Sequence, residues 1–147
     1  MQYCPVDSTN AFFTHHHPDW LMNIYLHTAG NPEYAEKLLD LLGSIPDQGQ
    51  IFLLPGDFPT SAFLDFDMHS GDVMILIPRD RQELEGLLKM KELLQDFRFI
   101  LILPDDDEET VARGHLLMPR FVSFINSDMD EVIRVLGRMI AHMHTFF

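Results

Sequence analysis

The stretch DVMILIPRD, residues 72–80, holds an unbroken apolar run from Val73 to Ile77 between an aspartate and a proline. A strand with one face in water alternates apolar and polar side chains. This one does not, so it reads as a strand covered on both faces, the usual state of a parallel strand whose crossovers lay helices on each side of a sheet. Pro78 ends the run, and Asp80 with Glu83 has the spacing of a capping box at a helix start. In that helix Leu84, Leu87, Leu88 and Leu94 share one face, while Glu85, Lys89 and Glu92 point away.

The same strand-then-helix unit recurs on both sides. Upstream, WLMNIYLH (20–27) is a short apolar run, Asn31 and Pro32 supply a helix cap and a pre-set first turn, and Gly43 stops the helix after EYAEKLLDLL. QIFLL (50–54) then precedes a weaker segment, TSAFLDFDMH (60–69). Downstream come RFILIL (98–103), a short ETVARGHLLM helix, FVSFI (121–125), and a last helix beginning near Ser127 or Asp128 and running towards His144.

Five such units predict a three-layer α/β/α sandwich around a five-stranded parallel sheet. With right-handed crossovers the commonest arrangement is the flavodoxin-like order 2-1-3-4-5. Residues 1–19 carry no sustained period and read as an irregular arm, leaving 20–147 as a single domain.

Composition narrows the function. The chain has 147 residues, 46% hydrophobic, which is enough for one well-filled core. Its formal net charge is −13, with only ten Lys and Arg, which argues against a nucleic-acid surface or an anionic membrane as partner. No apolar run approaches the ~18 residues of a membrane span, and MQYCPVDSTN lacks the pattern of a signal peptide, so a cytoplasmic location is expected. Cys4 is the only cysteine, which rules out an internal disulfide and any multi-cysteine metal site.

From Asp72 to Ile140 the chain resembles the receiver domain of two-component response regulators. The likeness rests on the DVMILI strand, the Leu-rich helix after it, FILIL followed by DDEE, ARGHLLMPRFV, and SDMDEVIRVLGRMI. The resemblance implies phosphoryl transfer to an aspartate ending the third strand. It further implies a magnesium ion held by an acidic pair after the first strand, a sensing Ser or Thr ending the fourth, and a lysine after the fifth.

None of those roles has its residue here. The acceptor place is Ile77, followed by Pro78 and Arg79. His27 and Thr28 stand where two carboxylates would hold magnesium, which prefers oxygen ligands. The sensing place is Leu103, and the lysine place is Ile125, followed by Asn126. The expectation is therefore a degenerate, phosphorylation-independent receiver, without catalysis or cofactor, that binds a protein partner in signalling through its fourth and fifth helices.

Other patterns carry alternatives. HTAGNPEY (27–34) is similar to the phosphate cradle of flavodoxins, with Thr28, Gly30 and Asn31 as the matching residues and FMN as the implied ligand. The structural alternative is a helix cap with a turn glycine. Asp105, Asp106 and Asp107, in the run PDDDEE, could hold a divalent cation at the carboxyl edge of the sheet, with Asp80 or His27 as further ligands there. Such a run also suits a solvated loop entering a helix N-terminus.

His15, His16 and His17 sit in the arm without a preset coordination geometry. No G-x-S-x-G elbow or Walker-type loop is present. In the last helix Val132, Val135, Leu136, Met139, Met143 and Phe146 form one stripe, which Ile133, Ile140 and Phe147 widen beyond what a single sheet face needs. These three residues are the expected interface of a homodimer, the N-terminal arm being the other candidate cover.

Overall fold

The structure, a computed structural model, describes residues 22–27, 30–45, 48–54 and 72–145. The arm 1–19, Cys4, His15–His17, Thr28, the 60–69 segment and Phe147 lie outside the described residues.

The elements follow in the order β1 (Met22–Leu26), α1 (Pro32–Leu42), β2 (Gln48–Leu53), β3 (Val73–Leu76), α2 (Arg81–Leu88), α3 (Lys91–Leu94), β4 (Arg98–Leu103), α4 (Glu108–His115), β5 (Phe121–Phe124) and α5 (Met129–Thr145). Among the described residues all strand pairs are parallel, and the sheet order is β2-β1-β3-β4-β5, the arrangement expected for five strand–helix units joined by right-handed crossovers. In register, Ile24 faces both Ile51 and Val73, Ile75 faces Ile100, and Ile102 faces Ser123.

The missing polar alternation now has its cause. Odd and even positions of each strand enter different cores. Ile24, Leu26, Val73, Ile75, Ile100 and Ile102 pack against α1 and α5 through Leu38, Leu42, Val132, Leu136 and Ile140. Tyr25, Met74, Leu76, Phe99, Leu101 and Leu103 pack on the other face against Leu84, Leu87 and Leu94. Every central strand residue is therefore needed inside, at about 1.5–3 kcal/mol for each large side chain buried.

Two local devices position the edges. Asn31 caps α1 by accepting the Tyr34 N–H at 3.1 Å, with Pro32 in the first turn. Gly43 ends α1 in ordinary helical conformation, and the last turn tightens as Ser44 donates to the Leu41 carbonyl and Ile45 to that of Leu42. At the amino edge, the β1–β2 register slips by one residue beside Asn23. The Asn23 Oδ1 fills the slip by accepting the Gln50 N–H at 2.9 Å, and Asp72 accepts the Asn23 N–H at 3.1 Å. A Cβ on Gly49 would lie 2.3 Å from that Asn23 oxygen, so only glycine fits the bulge.

The helix expected as one piece after β3 is broken in two. At Met90 the backbone N–H bonds the Leu87 carbonyl, three residues back, rather than four. The turn lets Leu87 and Leu94, on separate helices, reach the same core cluster, with Leu88 and Met90 half-buried beside them.

Candidate functional site

In this strand order β1 and β3 are neighbours, but the chain leaves β1 towards one edge of the sheet and β3 towards the other. The carboxyl ends of such a pair leave a crevice, the place where open α/β sheets bind ligands. A cleft of about 320 Å³ opens there, lined by His27, Pro78, Arg79, Asp80, Gln82, Glu83, Gly86 and Leu87.

His27 continues β1 and is only 3% exposed. Its backbone N–H bonds the Ile75 carbonyl at 2.9 Å, and its Nδ1 accepts the Ile77 N–H at 3.4 Å. An accepting Nδ1 leaves the ring hydrogen on Nε2. Burial lowers the imidazole pKa, against a smaller opposing pull from Glu83, so the ring is neutral at pH 7.

Ile77 is wholly buried and belongs to the core on the α1 and α5 side. Its carbonyl lies so close to Gly30 that a Cβ there would approach within 1.9 Å. Gly30 is thus set by the passage of β3, and Asn31 is spent capping α1. Of the three residues similar to a phosphate cradle, these two have structural duties and Thr28 is outside the described residues.

The start of α2 forms the opposite wall. Asp80 accepts the Glu83 N–H at 2.9 Å, and the Glu83 carboxylate reaches back to the Arg79 N–H at 2.7 Å. The capping box expected from sequence forms, displaced by one residue on its return arm. The Arg79 guanidinium lies 3.4 Å from Glu83 and 3.8 Å from Asp80.

The acidic loop faces a different partner. Asp105 accepts the Asp107 N–H at 3.0 Å, and the Thr110 hydroxyl together with that N–H holds its carboxyl below the usual range. Arg81 binds Asp107 at 3.2 Å and Glu109 at 3.4 Å, and its Nε donates to Thr110 at 3.2 Å. Asp106 is exposed. Asp80 and His27 stay with the α2 cleft. Among the described residues no three His, Cys, Asp or Glu side chains converge as ligands for an ion.

The residues expected at the ends of the fourth and fifth strands are equally apolar. Leu103 is wholly buried, and Ile125 packs half-buried against the first core while its N–H bonds the Leu103 carbonyl at 3.0 Å. In α5, Ile140 is 3% exposed and lies in the core of its own chain, whereas Ile133 is half-buried. Ile140 is therefore consumed within one molecule, and of the expected interface residues only Ile133 retains described surface.

Glu83 was legible as part of the capping box with Asp80, whereas the cleft residues Arg79, Gln82 and Gly86 carry no motif. The signal that could have found them is positional, since they follow the strand beside β1 at the switch of direction. No described helix is long and apolar enough to cross a membrane. No family model matches the chain, and no curated protein matches it.

Proposed function

We propose that the chain is a receiver-like signalling module of the cytoplasm, which binds a protein partner and neither catalyses a reaction nor responds to phosphorylation. The observation that carries this reading is Ile77. The strand end that would bear the phosphoryl group is a wholly buried isoleucine locked against Gly30 and His27, with no oxygen nucleophile at that position. The sheet order is the one the receiver resemblance implies.

Further support comes from the carboxylates nearest the edge. Asp80, Glu83, Asp107 and Glu109 are engaged by arginines or helix caps, so their charge is matched within the chain. With its edge chemistry lost, the module would present α4, β5 and α5 to its partner, and a second copy of itself would pair on the same side through Ile133.

Incubation with acetyl phosphate and magnesium, followed by intact mass measurement, is expected to leave the chain unmodified. A phosphoryl adduct on an acidic side chain would overturn the reading. Self-association is tested by light scattering after size exclusion. A dimer that Ile133→Glu converts to a folded monomer is the expected result, and a monomeric parent protein removes the homodimer from the proposal.

A further inference from the structure

We propose that the cleft between His27 and α2 binds a small, uncharged, planar nitrogen heterocycle. The edge that in receivers takes a phosphoryl group would here take a neutral molecule. At about 320 Å³ the cleft lies at the small end of the range for ligand sites, room for one or two fused rings.

Gly86 lines the cleft from the last turn of α2, in ordinary helical conformation. Glycine is the poorest helix former after proline, and so is not expected in a helix interior without cause. Yet a Cβ at Gly86 would meet nothing within 4 Å among the described residues. No described neighbour requires the glycine. Its effect is to leave a bare strip of helix backbone along the cleft, on which a flat ring can lie.

Charge then selects the occupant. Two N–H groups beside the α2 N-terminus, those of Arg79 and Glu83, already bond the Glu83 and Asp80 carboxylates, which places two negative charges where an anion would approach. An incoming anion would meet those carboxylates first. An incoming cation would compete with Arg79, which both carboxylates already hold, and would face the positive end of the helix dipole. The remaining walls are the neutral His27 imidazole, Pro78 and Leu87, with the exposed Gln82 amide offering both donors and an acceptor. That combination suits a ring whose edge carries both hydrogen-bond senses and whose faces are apolar.

The test titrates the full, ¹⁵N-labelled chain with adenine and, separately, with benzoate, a planar anion of similar size. Adenine is expected to shift the amide resonances of His27, Gln82, Gly86 and Leu87 saturably, and benzoate to bind at least about tenfold more weakly. Gly86→Leu should keep the circular dichroism spectrum and keep or raise Tm, because a glycine leaves a helix interior, while abolishing the adenine shifts. Gln82→Leu should weaken adenine binding while the fold is retained.

Four results would overturn the proposal. They are no saturable shift at the solubility limit of adenine, benzoate binding as tightly, unchanged adenine affinity in Gly86→Leu, or a fall in Tm of that variant, which would mean the chain itself fills the cleft. None of them bears on phosphoryl labelling or partner binding, so this inference and the proposed function fail separately.

Discussion

His27 couples the cleft to pH. Burial sets its folded pKa below the unfolded value of 6.5, so between those two values the unfolded chain binds more protons than the folded one. The His27 contribution is therefore complete above pH 6.5 and is lost as pH falls towards the folded pKa. Denaturant midpoints on either side of pH 6.5 should be lower on the acid side, and His27→Gln should flatten the difference. Relief of the net charge of −13 on acidification acts in the opposite direction, which is why the variant, and not the slope alone, is the measurement. Gly30 makes a second residue-scale prediction. A Cβ overlapping the Ile77 carbonyl must displace backbone, so Gly30→Ala should cost about 1–3 kcal/mol or more in chemical denaturation. The sequence shows Gly30 as a turn glycine beside a cap, but not the carbonyl it makes room for, because that atom arrives from a distant part of the chain.

Among the elements, α2 is held by its polar side chains. Asp80 caps it, Arg81 ties its first turn to the start of α4, and the Arg113 guanidinium of α4 holds both oxygens of Glu85 at 2.6 and 2.5 Å. The same pairing keeps the Glu85 carboxyl below its ordinary pKa. Asp80→Ala should cost about 1 kcal/mol, the usual loss for a helix cap, read from the urea midpoint. Glu85→Gln and Arg113→Gln should each destabilise modestly and non-additively. Their coupling should shrink in high salt, because both side chains are substantially exposed. Element limits were legible where apolar runs are sharply bounded. The β4 run RFILIL is observed residue for residue. The break at Met90 was not legible, since Leu84 to Leu94 fits one helical stripe and only the demand of the shared core divides it. Ile140 illustrates the same limit. Periodicity places it on the widened stripe of α5, but how much of that stripe one sheet face consumes depends on how α5 seats beside α1.

At the scale of the molecule, two cores share one set of strands. Leu38 belongs to one and Leu101 to the other, and both are wholly buried. Leu38→Ala and Leu101→Ala should each cost about 2–5 kcal/mol, a large part of the ~5–15 kcal/mol of a typical domain. Because neither core can lose its strands without the other, fluorescence and circular dichroism should report one coincident unfolding transition in both variants. The sequence by itself determined the layer architecture and the strand order. Unbroken apolar runs can be satisfied only between two helical layers, and the handedness of crossovers leaves few topologies. It also determined that the ends of β3 and β4 carry apolar side chains, Ile77 and Leu103, since residue type is read directly. The tertiary structure decided where the cleft lies, that Asp105 and Asp107 turn to their own loop and to Arg81, and that Ile140 is spent inside the chain. Each of these depends on groups far apart in sequence arriving within a few ångströms of one another, and local periodicity carries no record of such distances.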